Sequence, residues 1–151
     1  MRTNLTSQIT LNRVSTKYYK PENAVERSVL TRFEKVPTDI YESVDEGVAH
    51  IANEIAGRIQ DRQREGKFFV IGAGTGASLR PLYAELVRKH KDEGLSFRNV
   101  VIFNLYEYYP LAPESAGSSF TQLKDLFVDQ IDIDKQNVFT IDGSIPQEAV
   151  F

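Results

Sequence analysis

The segment Gly72-Ala73-Gly74-Thr75-Gly76-Ala77-Ser78 holds the first chemistry visible in this chain. Three glycines in five residues let a backbone approach a ligand closely. A helix starting just beyond them would turn its unpaired N–H groups and partial positive charge to the same space, and Thr75 and Ser78 would add hydroxyl donors. Such groups together make a phosphate cradle. The plainer alternative is a tight strand-to-helix turn with no ligand, but Gly-Thr-Gly with two hydroxyls is more than a turn requires. Gly72-x-Gly74-x-x-Ala77 also matches the dinucleotide fingerprint formally. That fingerprint wants an acidic residue about 20 positions on, at the end of the second strand. Asp92 and Glu93 belong to a helix-to-strand connection, and Glu107 lies about 30 positions on. No Gly-Lys-Ser/Thr follows, so the Walker pattern fails too. A small sugar phosphate fits the turn better than a dinucleotide.

The second candidate segment is Asn104-Leu105-Tyr106-Glu107-Tyr108-Tyr109-Pro110. Glu107 reads equally as a working carboxylate or as a structural one at a strand end. The Tyr106 phenol, with an ordinary pKa near 10, is a poor base at neutral pH. On an extended segment Tyr106 and Glu107 point opposite ways, so neither simply replaces the other. Aromatic residues at a strand end line sugar pockets, yet Tyr106, Tyr108 and Tyr109 read slightly better as packing under a loop or at a subunit contact. The two histidines are structural in this reading. His50 is a solvated helix residue, and His90 sits near a helix end, where it meets the helix dipole favourably.

The elements that must position these residues follow from periodicity. Apolar residues at 40, 44, 48, 51, 55 and 59 fall on one face of a helix, with Thr38 and Asp39 as its N-cap and Gly66 just past its end. Phe68-Phe69-Val70-Ile71 reads as a strand buried on both faces. A second helix starts near Leu79, with Leu82, Tyr83, Leu86, Val87 and His90 at helical spacing and Pro81 tolerated in its first turn. Strand 100–105 follows the Gly94 turn. A third helix runs from Ser118 or Ser119 to Val128, with Phe120, Leu123, Leu126 and Phe127 inward, and a last strand covers Asn137–Ile141. Strands alternating with helices predict right-handed crossovers and a parallel sheet. The fold class is α/β: a Rossmann-like doubly wound parallel sheet in three α/β/α layers, incomplete in this stretch. Ligands in such sheets bind beyond the carboxyl ends of the strands, where both candidate segments sit. Residues 1–37, with scattered apolar Val14, Tyr18, Tyr19, Val29, Leu30 and Phe33 and with Pro21 and Pro37 as punctuation, read as an N-terminal extension packed on a domain at 38–151.

Composition excludes several chemistries. The chain has 151 residues, no cysteine and two histidines. Thiol nucleophiles, cysteine-based zinc or iron–sulfur sites and disulfides are therefore out, and no metal site is expected. A net charge of −3 argues against nucleic-acid and acidic-membrane partners. No apolar run approaches the roughly 20 residues of a membrane span, and the N-terminus lacks a signal-peptide core, so a cytoplasmic protein is expected.

The residues Thr75-Gly76-Ala77-Ser78, Tyr83, Leu86, Ser96-Phe97-x-x-Val100 and Phe103-Asn104-Leu105-Tyr106-Glu107-Tyr108 resemble the glucosamine-6-phosphate deaminase/isomerase family without a gap. The likeness continues less closely through Leu111, residues 127–133 and Asp142-Gly143. This resemblance implies a Rossmann-like domain shared with 6-phosphogluconolactonases and ribose-5-phosphate isomerases. It implies conversion of glucosamine 6-phosphate and water to fructose 6-phosphate and ammonia, with no metal and no redox cofactor. It places the sugar phosphate on Gly74, Thr75, Gly76, Ala77 and Ser78, where Ala77 and Ser78 are mild departures from the family's residues. The main departure is Tyr106. The family reads Asp-Glu-Tyr where this chain reads Tyr-Glu-Tyr, and that aspartate is the family's base. Tyr106 and Glu107 are thus the catalytic candidates of an enzyme with an altered base. The alternative is a non-catalytic sugar-phosphate sensor or regulatory module on the same fold. The family's ring-opening histidine and its remaining phosphate ligands fall beyond residue 151, so this stretch by itself is expected to be inactive. A parallel sheet stopped here would leave an unpaired edge and uncovered apolar faces, which predicts a homo-oligomer.

Overall fold

The structure, a computed structural model, describes residues 23–33, 36 and 38–146. Val14, Tyr18, Tyr19, Pro21 and Pro37 lie outside the described residues, as does the side chain of Leu30. The chain divides into two units, residues 1–41 and 42–151. In the first, helix α1 (Ala24–Thr31) starts at Asn23, whose side chain accepts from the N–H groups of Val25 and Glu26. Arg27 pairs with Asp39 across this unit.

In the second unit, α2 spans Val44–Arg64. The expected start at Thr38 and Asp39 is replaced by Ser43. Its hydroxyl accepts from Glu46 N–H at 3.1 Å, while the Glu46 carboxylate accepts from Glu42 N–H at 3.2 Å. This reciprocal cap satisfies two otherwise orphaned donors, an advantage that a run of periodic apolar residues does not reveal. The helix ends where expected, with Gly66 at φ 66°. Then come β1 (Phe69–Ala73), α3 (Arg80–Glu93), β2 (Val100–Asn104), α4 (Ser119–Leu126) and β3 (Val138–Phe139). Single 3-10 turns lie at Val128–Gln130 and Lys135–Asn137. The last strand is shorter than the expected Asn137–Ile141.

The sheet is parallel in the order β1-β2-β3, with Ala73 opposite Asn104 and Ile102 opposite Val138. The α/β class and the parallel Rossmann-like sheet agree with the sequence reading. Strand alternation sends Phe69, Ile71, Ala73, Val100, Ile102 and Val138 to one face, where α2, α3 and α4 close a single core. Its centre is aromatic: Tyr83 stacks on Phe127 at 5.0 Å between ring centroids, and Phe97 meets Phe127 edge-on at 5.5 Å. Burying each such ring contributes about 1.5–3 kcal/mol.

The strand at Phe68–Ile71 is not buried on both faces. Val70 is 58% exposed, and Phe103 and Phe139 stack on each other at 4.9 Å while 46% and 47% exposed. The second helical layer of the expected three-layer sandwich is not among the described residues, so the alternate side chains of each strand stay open. The apolar face of α2 is likewise covered only in part. Ala52 and Ile59 are buried, but Val44 and Ile51 are exposed. A helix of 21 residues is about 31 Å long, while strands of five residues reach only about 17 Å, so the helix overruns the sheet it covers.

Candidate functional site

The two candidate segments meet at the carboxyl ends of β1 and β2. Strand β1 hands over to the turn at Gly74, which is buried, and the chain then rises to Gly76, Ala77 and Ser78, all exposed. Leu79 occupies the N-cap of α3 without any side-chain hydrogen bond to the helix end. Pro81 falls in the first turn, where its missing N–H costs nothing. The helix therefore presents its positive end unneutralised beside Ser78. Nothing lies within 4 Å of where a Cβ on Gly76 would stand, so this rim of the turn is open. Below it, the Tyr83 hydroxyl donates to Gly74 O at 2.6 Å and fixes the turn to α3. Burial pushes the Tyr83 phenol up from its ordinary pKa, which keeps it a donor.

Tyr106 reaches across to this turn. Thr75 N–H donates to its hydroxyl at 3.0 Å, the Thr75 hydroxyl pairs with it at 2.8 Å, and the phenol donates to Thr75 O. The ring passes close enough that a Cβ on Gly74 would stand 3.3 Å from its edge. Gly74 thus makes room for a tyrosine, a role that the glycine pattern alone did not disclose. The Thr75 hydroxyl bond leads in holding the Tyr106 phenol below the ordinary tyrosine pKa, with burial opposing it.

Glu107 points the other way, as neighbours on an extended segment should. Its carboxylate accepts from the Ser118 hydroxyl at 2.6 Å, Ser119 N–H at 2.8 Å and Phe120 N–H at 3.0 Å. It also accepts from Tyr108 N–H at 2.9 Å. Burial pushes this carboxyl up, but the Ser118 hydroxyl and the three backbone donors outweigh it and hold the pKa at about 2. Glu107 is an ionised anchor at the amino end of α4, with both oxygens spent. A base that must release four bonds before taking a proton is a costly base.

Sequence reasoning missed the groups that tie the segments together. Ser119 is fully buried, and its hydroxyl links Thr75 Oγ1 at 3.1 Å to Asn104 Oδ1 at 3.3 Å. The Asn104 amide donates to Tyr106 O at 2.9 Å and Thr140 Oγ1 at 3.2 Å. The signal available was the Ser118-Ser119 pair, read only as a helix start. Gly143 is a second missed constraint. A Cβ there would stand 2.4 Å from Tyr108 O and 2.6 Å from Leu111 O, and Leu111 N–H donates to Gly143 O at 3.0 Å. Tyr108 and Tyr109 are exposed rather than packed under a loop. His50 is exposed on α2, and the His90 ring bonds Leu95 O through Nδ1 at 2.7 Å, both away from these segments. Among the described residues no group of three His, Asp or Glu side chains is placed to hold a metal, and no helix is long and apolar enough to cross a membrane.

No protein-family profile matches the chain. A glucosamine-6-phosphate deaminase-like protein of Bacteroides thetaiotaomicron is 58% identical over all 151 residues, which span 23% of that protein. The glucosamine-6-phosphate isomerase of Candida albicans is 35% identical over 104 residues, or 69% of this chain and 41% of that one. The solved structure of a monomeric glucosamine-6-phosphate deaminase superposes with a TM-score of 0.66 at 28% identity, covering 72% of this chain and 44% of that one. The chain spans under half the length of each of these relatives.

Proposed function

We propose that this chain, a relative of the glucosamine-6-phosphate deaminases, supplies the phosphate-holding end of a domain that binds an amino-sugar or hexose phosphate. The observation that carries this reading is the open Gly76–Ser78 rim beside an uncapped helix start at the carboxyl end of β1. Backbone N–H groups of residues 74–78 and the hydroxyls of Thr75 and Ser78 hold the phosphate, by charge-assisted hydrogen bonds. In the whole protein the reaction is conversion of glucosamine 6-phosphate and water to fructose 6-phosphate and ammonia. It calls for no metal and no redox cofactor. Tyr106 stands where the family has its base, and Glu107 follows it as in the family. The protein works in the cytoplasm, as a homo-oligomer.

The second reading is a non-catalytic sugar-phosphate sensor of the same fold. A specific observation favours it: the carboxylate of Glu107 is fully engaged with α4, and Tyr106 offers only a phenol bound to Thr75. Calorimetric titration of the whole protein with glucosamine 6-phosphate tests what the two readings share. Saturable binding that weakens several-fold in Ser78→Ala is expected. Binding no tighter than that of sulfate would sink both. Ammonia release by the whole protein then separates enzyme from sensor.

A further inference from the structure

The Tyr106 hydroxyl bonds every polar group of Thr75: its N–H, its hydroxyl and its carbonyl. The first two are donors that a phosphate on this turn would use. We propose that Tyr106 is a displaceable internal occupant of the turn, its hydroxyl standing where an anionic oxygen of the ligand will stand, so that binding requires the ring to swing away. This rests on the reading of residues 74–78 as a sugar-phosphate site.

Three observations support it. The seat is built for the ring, since Gly74 lacks the Cβ that would crowd the ring edge. The way out is open, because Tyr106 is 37% exposed and, among the aromatic rings of the described residues, meets only the edge of Tyr108, at 6.1 Å between centroids. The exchange is also chemically reasonable. Thr75 would trade a neutral phenol oxygen for a phosphate oxygen, and hydrogen bonds to ionised acceptors are roughly twice as strong as neutral ones. Thr75 keeps a second partner when the phenol leaves, because its hydroxyl also lies 3.1 Å from that of the buried Ser119 and can turn to it. Occupancy by the phenol lowers apparent affinity by the fraction of molecules with the seat free. The plug thus sets the ligand concentration at which the site responds.

The test uses the whole protein, with glucosamine 6-phosphate as the probe. Tyr106→Phe keeps the ring and removes the hydroxyl. It is expected to bind roughly 3–10-fold tighter than the parent protein, the ratio set by how fully the phenol occupies the seat. Backbone amide exchange supplies a readout that needs no ligand: Thr75 N–H is expected to exchange faster in Tyr106→Phe than in the parent. Equal or weaker binding by Tyr106→Phe, or unchanged Thr75 exchange, overturns the plug while leaving the phosphate site standing. No binding by either protein overturns both.

Discussion

The turn at residues 74–78 and the segment at 104–109 lie side by side, yet they dispose of their polar groups in opposite ways. The turn leaves Gly76, Ala77 and Ser78 in solvent beside a helix start that no side chain caps. The neighbouring segment commits its amide and its carboxylate. Asn104 makes three hydrogen bonds, and Glu107 makes four. Unsatisfied donors are useful only if something else holds them still. The segment at 104–109 does that holding, and its satisfaction is what lets the turn remain open.

The largest effect expected from breaking this division comes from Gly143→Ala. The added Cβ would meet two backbone carbonyls at 2.4 and 2.6 Å, and backbone retreats less easily than a side chain. A loss of about 3 kcal/mol or more in urea denaturation is expected. A loss below about 1 kcal/mol would show that the 104–111 segment does not depend on this contact.

Glu107→Gln comes next, at about 2 kcal/mol, because an ionised helix anchor becomes neutral and turns one acceptor into a donor. Its pH dependence has a definite sign. The folded carboxyl titrates at about 2 against an ordinary 4.5, so its stabilisation is present in full above the ordinary value and fades as pH falls towards 2. The stability difference between parent and variant should shrink over that window. A difference independent of pH would mean that charge is not what Glu107 contributes.

Thr75→Ala sharpens the comparison from the other side. It removes the hydroxyl shared by Tyr106 and Ser119, for about 1 kcal/mol of stability. Glucosamine 6-phosphate affinity should fall several-fold in the same variant, measured by calorimetry. Unchanged affinity would remove the Thr75 hydroxyl from the binding set. Gly76→Ala should do least. Its added methyl meets nothing within 4 Å, and Gly76 is not among the glycines with positive φ. A thermal-melt change within about 0.5 kcal/mol is expected, and a larger one would place a hidden contact on the open rim.

The strand, turn and helix from Phe69 to Glu93 were legible because three local signals coincide there: a short apolar run, a glycine cluster and a helical stripe. The helix at Ser119 was legible from its own apolar spacing. Its anchor was not, because Glu107 lies 12 residues from Ser119 and no local pattern couples them. The link from Tyr106 to Thr75 spans 31 residues and was hidden for the same reason. Periodicity also says which face of an element is apolar, not what lies against it. Val44, Ile51 and Val70 fit an apolar pattern and yet are exposed.

The uncovered side of the sheet dictates solution conditions. Val70, Phe103 and Phe139 present apolar surface to water, and the drive to cover such surface weakens on cooling and strengthens in excluded salts. Sulfate is such a salt, so as the anion against which sugar-phosphate binding is compared it acts twice, at the turn and on this face. Titrations run cold and dilute, with chloride at matched ionic strength as a second control, separate the two actions.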